Sequence, residues 1–408
     1  MDFVVVVYTI MFFFGIYFLC LFILLYFQNR KELYDYPIPK RFPFVSIITP
    51  AYNEEEGIRE TIEAVMSLNY PKNKFEHIIV NDGSKDKTAE VVKKLMKKYR
   101  NLKLISKENS GKADSLNVAL KKSKGEIIAV VDADSYPSPD SIMKMIGYFE
   151  EEKVAAVTSR VLVKNKKNFI EKFQAIDYAV IAWGRKVLDF IGCVYVTNGP
   201  LSLYKKKCIL EVGGFDPKNM TEDIEITWHL MSLGYKTKMS YSTEVYTTVP
   251  DNLKIWIKQR VRWNVGGMQT IVKYRKFFFK TENLFGYFVL NYVFISFFLT
   301  FIGFLLWLRF MILNLVFYFK IFPYIFSGYN PFKFWNFNFY ISFVIILGLI
   351  FLSLSFVYYK TTMSNSEFKK KNLFKIIVYI FIYRPLYLIP YLISLYKAVK
   401  GDIRWYTK

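Results

Sequence analysis

The chain is short of the residues that build disulfide frameworks and cysteine–histidine metal centres. It has three cysteines and two histidines in 408 residues. Cys20, Cys193 and Cys208 show no metal-ligand spacing, and Cys20 lies inside an apolar stretch. A disulfide framework is therefore not expected, and a soluble part facing a reducing cytoplasm fits. His77 and His229 read as packing or hydrogen-bonding residues and not as catalysts. No glycine-rich phosphate loop of the Walker or Rossmann type occurs, which argues against kinases and dehydrogenases. Acidic residues are few, 34 against 56 lysines and arginines, for a net charge of +22. The basic excess falls beside apolar segments and in lysine runs. Anionic lipid headgroups and a phosphorylated substrate account for it, and no nucleic acid is expected as a partner. Internal repeats are absent.

What the chain has instead is apolar and aromatic surface, 53% and 19% of residues respectively, enough for a membrane protein with a sizeable aqueous part. Residues 3–27 carry no charge and are long enough to cross a bilayer. No basic residue precedes them and no small-residue cleavage site follows, so they read as a retained anchor. Arg30, Lys31, Lys40 and Arg41 come next and, by the positive-inside rule, place the following segment in the cytoplasm. Residues 29–44 form a linker with three prolines between 34 and 43. Residues 252–276 are amphipathic and rich in Lys, Arg and Trp, which suits a helix on the membrane surface. Further apolar spans fall near 287–308, 339–359 and 376–395, with an extra half-span at 311–325. Arg384-Pro385 and Pro390 interrupt the last, predicting a kinked or partly interfacial segment. The Lys-rich loop 360–375 and the basic tail 397–408 would lie on opposite faces, so charge does not fix the number of spans. The expected division is a transmembrane helix at 1–28, the linker, an aqueous domain at 45–250, interface helices at 251–284 and about three spans in 285–408. The localisation that follows is a multi-pass plasma-membrane protein with a cytoplasmic aqueous domain.

From residue 45 the pattern alternates. Short β-rich runs at 45–49, 75–80, 102–106, 127–131 and 155–160 are separated by amphipathic stretches at 55–68, 88–99, 112–122 and 139–151. Such alternation predicts a mainly parallel sheet covered on both faces. Residues 161–250 are less regular, with helices expected at 169–190 and 224–233 and a strand pair or loop at 195–204.

The expected strand ends carry the chemistry. Pro50-Ala51-Tyr52-Asn53-Glu54 closes the first strand and Asn81-Asp82-Gly83-Ser84-Lys85-Asp86 the second. Ser110-Gly111-Lys112-Ala113 follows the third, and the fourth runs straight into Asp132-Ala133-Asp134. Ligands of open α/β sheets bind outside such carboxyl ends. Tyr52 can stack on a base, Asp82 can accept hydrogen bonds from a base or ribose, and Lys112 can neutralise phosphate. Asp132 and Asp134 can offer oxygen ligands to one Mg²⁺ or Mn²⁺ bridging a diphosphate. Each alone could be a polar turn; four in succession are hard to read that way. Further on, a helical 259–263 places Gln259, Arg262 and Trp263 on one face. Arg262 can fork onto phosphate, and Trp263 offers a flat face to a sugar ring. The competing reading makes Trp256 and Trp263 interfacial anchors and pairs the arginines with lipid phosphate. Asp223 could equally be a helix N-cap, which is compatible with catalysis.

These elements, with Thr221-Glu222-Asp223 and Gln259-Arg260-Val261-Arg262-Trp263, occur in an order that resembles the processive membrane glycosyltransferases of family 2. That group includes synthases of cellulose, hyaluronan, chitin oligomers and poly-N-acetylglucosamine. The match runs from about residue 45 to 267, with a similar membrane layout on both sides. The resemblance implies an α/β GT-A-like glycosyltransferase domain, a mainly parallel sheet with flanking helices, inserted between transmembrane helices. It implies an inverting hexosyltransferase that polymerises a sugar from a UDP-sugar, UDP-N-acetylglucosamine or UDP-glucose, into a β-linked polysaccharide passed through its own membrane channel. Pro50, Tyr52, Glu54, Asp82, Lys112, Asp132 and Arg262 would bind the nucleotide, and Asp134 with Asp132 the Mg²⁺ or Mn²⁺. Asp223 would be the general base. Trp263, Gln259, Glu222, Thr221, Asn198 and Gly199 would face the growing polysaccharide acceptor. The lipid bilayer is a partner, and a membrane accessory subunit is left open. Thr-Glu-Asp follows the cellulose and poly-N-acetylglucosamine synthases, whereas Asn198-Gly199-Pro200 is closer to hyaluronan-type loops, so the sugar is not fixed. No regulatory domain is expected after the last span. Two other readings stand beside this one: transfer of a single sugar to a lipid or short acceptor, which Gln259–Trp263 disfavours, and a non-catalytic scaffold or transporter, which the intact acidic residues disfavour.

Overall fold

The structure is a computed structural model describing residues 3–327, 343–368 and 373–400. It falls into two compact units, Met1–Leu24 with Asn291–Lys360, and Leu25–Leu290 with Thr361–Lys408. In chain order the helices are α1 (Phe3–Asn29), α2 (Ile58–Met66), α3 (Thr88–Met96), α4 (Lys112–Lys122), α5 (Met143–Ile146), α6 (Phe169–Asp189), α7 (Lys206–Glu211), α8 (Glu222–Ser232), α9 (Leu253–Tyr274), α10 (Leu290–Phe326), α11 (Phe343–Ser364), α12 (Leu373–Val378), α13 (Arg384–Leu386) and α14 (Leu388–Lys400). The strands are β1 (Val45–Ala51), β2 (Phe75–Asp82), β3 (Leu102–Lys107), β4 (Ile127–Val130), β5 (Ser135–Pro137), β6 (Val154–Val163), β7 (Ser202–Lys205) and β8 (Lys236–Thr247).

The second unit is built on one eight-stranded sheet, ordered β3-β2-β1-β4-β7-β6-β8-β5. Strands β1 to β4 run parallel, with β1 between β2 and β4. β7 is antiparallel to both β4 and β6, β8 is parallel to β6, and β5 is antiparallel to β8. Alternate residues of a strand face opposite sides, and the core divides accordingly. Val45, Ile47, Ile127 and Ala129 pack with Ile58, Ile62 and Val65 of α2 and with Val92 and Leu95 of α3. Ile48, Ile78, Ile128 and Val130 pack with Leu116 and Leu120 of α4 and with Ile226 and Leu230 of α8. Both faces are covered, so the parallel strands read as continuous apolar runs. His77 lies inside this sheet against the Thr49 hydroxyl, 2.9 Å away. Burial alone pushes its pKa down to about 3, which keeps it neutral and structural.

Helix starts follow side-chain chemistry. Asn168 caps α6 in a capping box with Glu171, and Asn252 accepts from Ile255 N to cap α9. The helix expected over 139–151 is only α5 followed by a 3₁₀ turn, Gly147–Glu150. The linker crosses there: a Cβ on Gly147 would collide with the Pro37 carbonyl. Residues 195–204 form a loop leading into β7, while β5 and β8 were not expected from the sequence.

Among the described residues four helices are long and apolar enough to cross a membrane: Phe3–Glu32, Phe285–Tyr324, Phe343–Ser364 and Phe374–Lys400. The span near 287–308 and the half-span at 311–325 are one continuous helix, since only Arg309 and Phe310 separate them and neither breaks a helix. Within the first unit Phe22 packs on Tyr292 and Tyr358. Gly15 lies under the Phe351 ring, where any side chain would clash, so the small residue sets how closely the helices approach. The last apolar segment carries a π-helical turn at Tyr379–Tyr383, just before Arg384-Pro385, and Pro390 lies inside α14. The start of the span expected at 339, part of the Lys-rich loop and the tail beyond 400 lie outside the described residues.

Candidate active site

The loops after β1 and β2 are knitted together. Asn53 adopts the left-handed conformation (φ 54°) that asparagine tolerates better than most residues. Its N–H donates to Ser84 Oγ at 3.0 Å, and its Oδ1 accepts from Lys85 N at 2.9 Å. Glu54 N donates to Thr88 Oγ1 at 2.8 Å. Pro50 lies near the end of β1, and Tyr52 and Glu54, both half-buried, are carried on the braced loop that follows it. Asp82 ends β2 and is buried, and its carboxylate already has protein donors. Oδ1 accepts from Lys107 Nζ at 2.6 Å and Ser110 N at 3.0 Å, and Oδ2 from Gly111 N at 2.8 Å. Asp82 therefore fixes the turn that launches Lys112 and keeps only one of a carboxylate's four lone-pair sites for a ligand.

Lys112 opens α4 and joins two other segments. Its Nζ is 2.6 Å from Asp132 Oδ1, just past β4, and 2.7 Å from Glu222 Oε1 at the start of α8. Burial works against the lysine charge, but the two carboxylates outweigh it and hold the pKa above the usual lysine range. Burial likewise opposes ionisation of Glu222, and Lys112 and Arg262 overcome it, leaving that carboxyl below the usual range. The next residue behaves differently. Burial and then the Glu222 charge raise Asp223 to about 6, with Lys112 only partly compensating. Two adjacent acids are thus driven apart, one firmly ionised and the other a stronger base, a division of roles typical of acid–base sites.

Gly199 lies directly over the ion pair. An added Cβ would stand 2.6 Å from Asp132 Oδ2 and 2.8 Å from Lys112 Nζ, so only glycine fits without moving them. Beside it, Asn198 Oδ1 accepts from the Thr158 hydroxyl and from Arg185 Nη1. Thr197 Oγ1 reaches the Asp223 carbonyl at 3.3 Å. Asp134 sits apart from Lys112, its Oδ1 3.2 Å from Ser135 Oγ and 3.5 Å from Thr247 Oγ1. Asp132 and Asp134 are hard oxygen donors just past the carboxyl end of β4, and the glycine at 199 lets the backbone come close to Asp132. Among the described residues no three His, Cys, Asp or Glu side chains form a complete cage. Two carboxylates with the remaining positions left to phosphate oxygens and water are how Mg²⁺ is usually held, so the donor set fits such an ion.

The helix α9 lies against the start of α8. Gly266 is pressed on Thr221, where a Cβ would collide with the threonine hydroxyl. Glu225 of α8 is fully buried and accepts from Lys273 Nζ at 2.6 Å and Tyr274 OH at 2.8 Å of α9. Of the residues expected here, the structure brings Lys112, Asp132, Gly199, Glu222 and Asp223 together, with Arg262 close enough to act on Glu222. Gln259 Oε1 is buried with no hydrogen-bond partner among the described residues. Arg260, given no role from sequence, stacks 4.0 Å over the Trp263 ring and pairs with buried Asp177 at 3.3 Å. Asp177 also accepts from Tyr379 at 2.9 Å and from Tyr387. Arg260 thus backs the tryptophan and ties α9 to α6 and the last apolar segment. Its presence inside Gln259–Trp263 was the one signal available.

The mostly parallel sheet with flanking helices and the acidic strand ends form a GT-A-like fold. The fold of a mannosyltransferase from Pyrobaculum calidifontis, solved with GDP-Man and Mn²⁺, superposes with a TM-score of 0.57 over 70% of this chain and 80% of that one, at 22% identity. Glycosyl transferase family 2 matches residues 46–204, and Glycosyl transferase family group 2 matches residues 127–357. The chain belongs to glycosyltransferase family 2. A probable glycosyltransferase of Bacillus subtilis, YdaM, is 28% identical over 397 residues, 93% of this chain and 87% of that protein. The poly-beta-1,6-N-acetyl-D-glucosamine synthase of Staphylococcus epidermidis is 34% identical over 232 residues, which span 56% of each chain.

Proposed function

We propose that this glycosyltransferase is an inverting, processive synthase that polymerises a sugar from a UDP-sugar into a β-linked polysaccharide. The observation that carries the reading is the seam between α8 and α9, which sets the helix of the base Asp223 against the helix bearing Gln259, Arg262 and Trp263. A partly dissociated carboxyl raised to about 6 is well matched to accept a hydroxyl proton near neutrality. In this reading Asp223 takes the acceptor proton, and the acceptor oxygen attacks the anomeric carbon on the face opposite the diphosphate. The bond to the diphosphate breaks with inversion, and UDP leaves. Lys112 and Arg262 supply positive charge to the leaving group. Asp132 and Asp134 would hold Mg²⁺ or Mn²⁺, which when bound neutralises diphosphate charge. Pro50 and the braced loop of Tyr52 and Glu54, with Asp82, would receive the nucleotide. Trp263 would stack on the acceptor sugar, with Gln259, Thr221, Glu222, Asn198 and Gly199 around it. The relation to a poly-N-acetylglucosamine synthase supports UDP-N-acetylglucosamine ahead of UDP-glucose. The four apolar helices support a multi-pass plasma-membrane protein with a cytoplasmic active site and passage of product along its own helices. An accessory membrane subunit remains compatible with it.

The test is turnover in nanodiscs with Mn²⁺ or Mg²⁺ and a panel of UDP-sugars, scoring UDP release and product length together, with Asp223→Asn as control. Long product from one donor, lost in the variant, is expected. A single-sugar adduct would replace polymerisation with simple transfer, and no UDP release from any donor by folded protein would overturn the synthase reading.

A further inference from the structure

The loop that covers the base holds a charge the site so far leaves without a use. Arg185 is carried by α6, and its Nη1 donates to Asn198 Oδ1 at 2.6 Å. Among the described residues that is its one hydrogen bond, and no carboxylate forms an ion pair with it. Burial works against its charge, and only Tyr195 and Asp223 lie near enough to favour it. Arg185 is half-buried, so a guanidinium that makes one hydrogen bond there has donors to spare for a further oxygen partner.

Asn198 gives a second, independent sign. The side chain is 8% exposed, and its Nδ2 is buried with no partner among the described residues. Arginine can only donate, so the amide oxygen must be the atom facing it, and the nitrogen is the group left over. Thr158 Oγ1 meets the same oxygen and the Asn198 backbone N–H, so the side chain is held in this orientation from both sides. Unpaired buried N–H groups are rare in folded chains and call for an explanation. The explanation is given by position. Thr197, one residue back, touches the Asp223 carbonyl, and Gly199, one residue on, lies over Asp132 and Lys112. Two sets of spare donors therefore lie close to Asp223, in the loop that also touches Asp132 and Lys112.

We propose that Arg185 is an acceptor-binding residue: its guanidinium and the Asn198 amide donate hydrogen bonds to oxygen atoms of the terminal acceptor sugar, a ring hydroxyl or an acetamido carbonyl. The pair would orient the hydroxyl that Asp223 deprotonates. The inference rests on the glycosyltransferase reading and adds to it which end of the substrate this half-buried arginine serves.

The experiment uses full-length protein in nanodiscs, measuring the acceptor KM with short N-acetylglucosamine and glucose oligosaccharides and the UDP dissociation constant by calorimetry. Arg185→Gln and Asn198→Ala should each raise the acceptor KM by about tenfold or more, the loss expected for a hydrogen bond to a charged or buried group, with UDP affinity within about twofold of wild type. Arg185→Lys, which keeps the charge and is the variant expected to fold best, should fall between. A rise confined to the N-acetylglucosamine series would assign the acetamido carbonyl, and a rise in both would assign a hydroxyl. An unchanged acceptor KM in Arg185→Gln and Asn198→Ala would overturn the proposal, as would a parallel loss of UDP affinity, which would mark Arg185 as a structural clamp. Wild-type protein that binds UDP yet transfers to neither series would overturn the glycosyltransferase reading itself, separately from the assignment of Arg185.

Discussion

Replacing Gly199 by alanine strains the site at its tightest point while leaving the fold almost untouched. The new Cβ would lie 2.6 Å from Asp132 Oδ2 and 2.8 Å from Lys112 Nζ. To reach ordinary contact the carboxylate must retreat by about 0.8 Å and the ammonium by about 0.6 Å. Both are tips of side chains with some solvent access, 26% and 19% exposed, so both can move. Gly199 has no left-handed φ, so alanine suits the backbone. The stability cost should therefore stay within about 1 kcal/mol, the range of substitutions that neither open a cavity nor bury a lone charge. Catalysis should suffer more. A shift approaching 1 Å in groups that position a reacting diphosphate costs on the order of 100-fold, equivalent to about 2.7 kcal/mol of barrier. Thermal unfolding in nanodiscs and UDP release at saturating UDP-N-acetylglucosamine give the two readings from one preparation. Wild-type turnover would refute the reasoning, because the ion pair could then be displaced without consequence. A loss of turnover matched by a collapse in Tm would refute it too, since the glycine would then be serving the fold.

Other expectations follow from the same geometry. As the proposed base, Asp223 would act deprotonated, and its carboxyl is raised to about 6, so kcat/KM should be level above that pH and fall about tenfold per unit below it, and Asp223→Asn should abolish both the activity and the profile. Lys112→Met leaves the Asp132 and Glu222 carboxylates facing one another; it should lower stability by about 2 kcal/mol at neutral pH, less than for a fully buried pair because Asp132 keeps solvent access, and Glu222→Gln added to it should restore part of the loss in a denaturant titration. Asp177→Asn strips buried Arg260 of its counter-ion and should cost about 3 kcal/mol in thermal unfolding, together with a raised acceptor KM as the backing of Trp263 loosens. Chelation with EDTA should stop turnover, and Mn²⁺ or Mg²⁺ should restore it in wild type but not in Asp134→Ala.

The parallel half of the sheet was legible because its strands are buried on both faces and so read as unbroken apolar runs, with the polar strand ends marking where the site begins. The strand β8 was not. It reads Lys-Thr-Lys-Met-Ser-Tyr-Ser-Thr-Glu-Val-Tyr-Thr, with no apolar run, yet Thr237, Ser240 and Thr243 are fully buried. Their hydroxyls find carbonyl partners, Thr237 on Val194, Ser240 on Lys144 and Thr243 on Ser141, and those partners are distant in sequence. A polar residue satisfied by a remote segment looks like a surface residue until the fold is known. The same holds for the site. Asp82 carries the right chemistry for a nucleotide contact, but only the structure shows its oxygens holding the turn before Lys112. Asp177 lies in an ordinary-looking helix, and its partners Tyr379 and Tyr387 are about two hundred residues away in sequence. Arg260 sits in a motif that sequence reading had already singled out, yet its side chain serves Asp177 and the ring of Trp263 instead of a phosphate.

The contact between Gly266 and Thr221 leaves no slip plane between α8 and α9. A hydrogen atom is all that separates the helix backbone from the threonine hydroxyl, and Glu225 anchors the pair again further along. Helices spaced by long side chains can slide as those side chains change rotamer; helices in backbone contact must travel together. Any tilt imposed on α9 would therefore carry Asp223 with it. If the chain sits in a bilayer and Asp223 is the base, as proposed above, lipid thickness and lateral pressure would become inputs to the chemistry, acting on the position of a proton acceptor through a lever that touches neither nucleotide nor sugar.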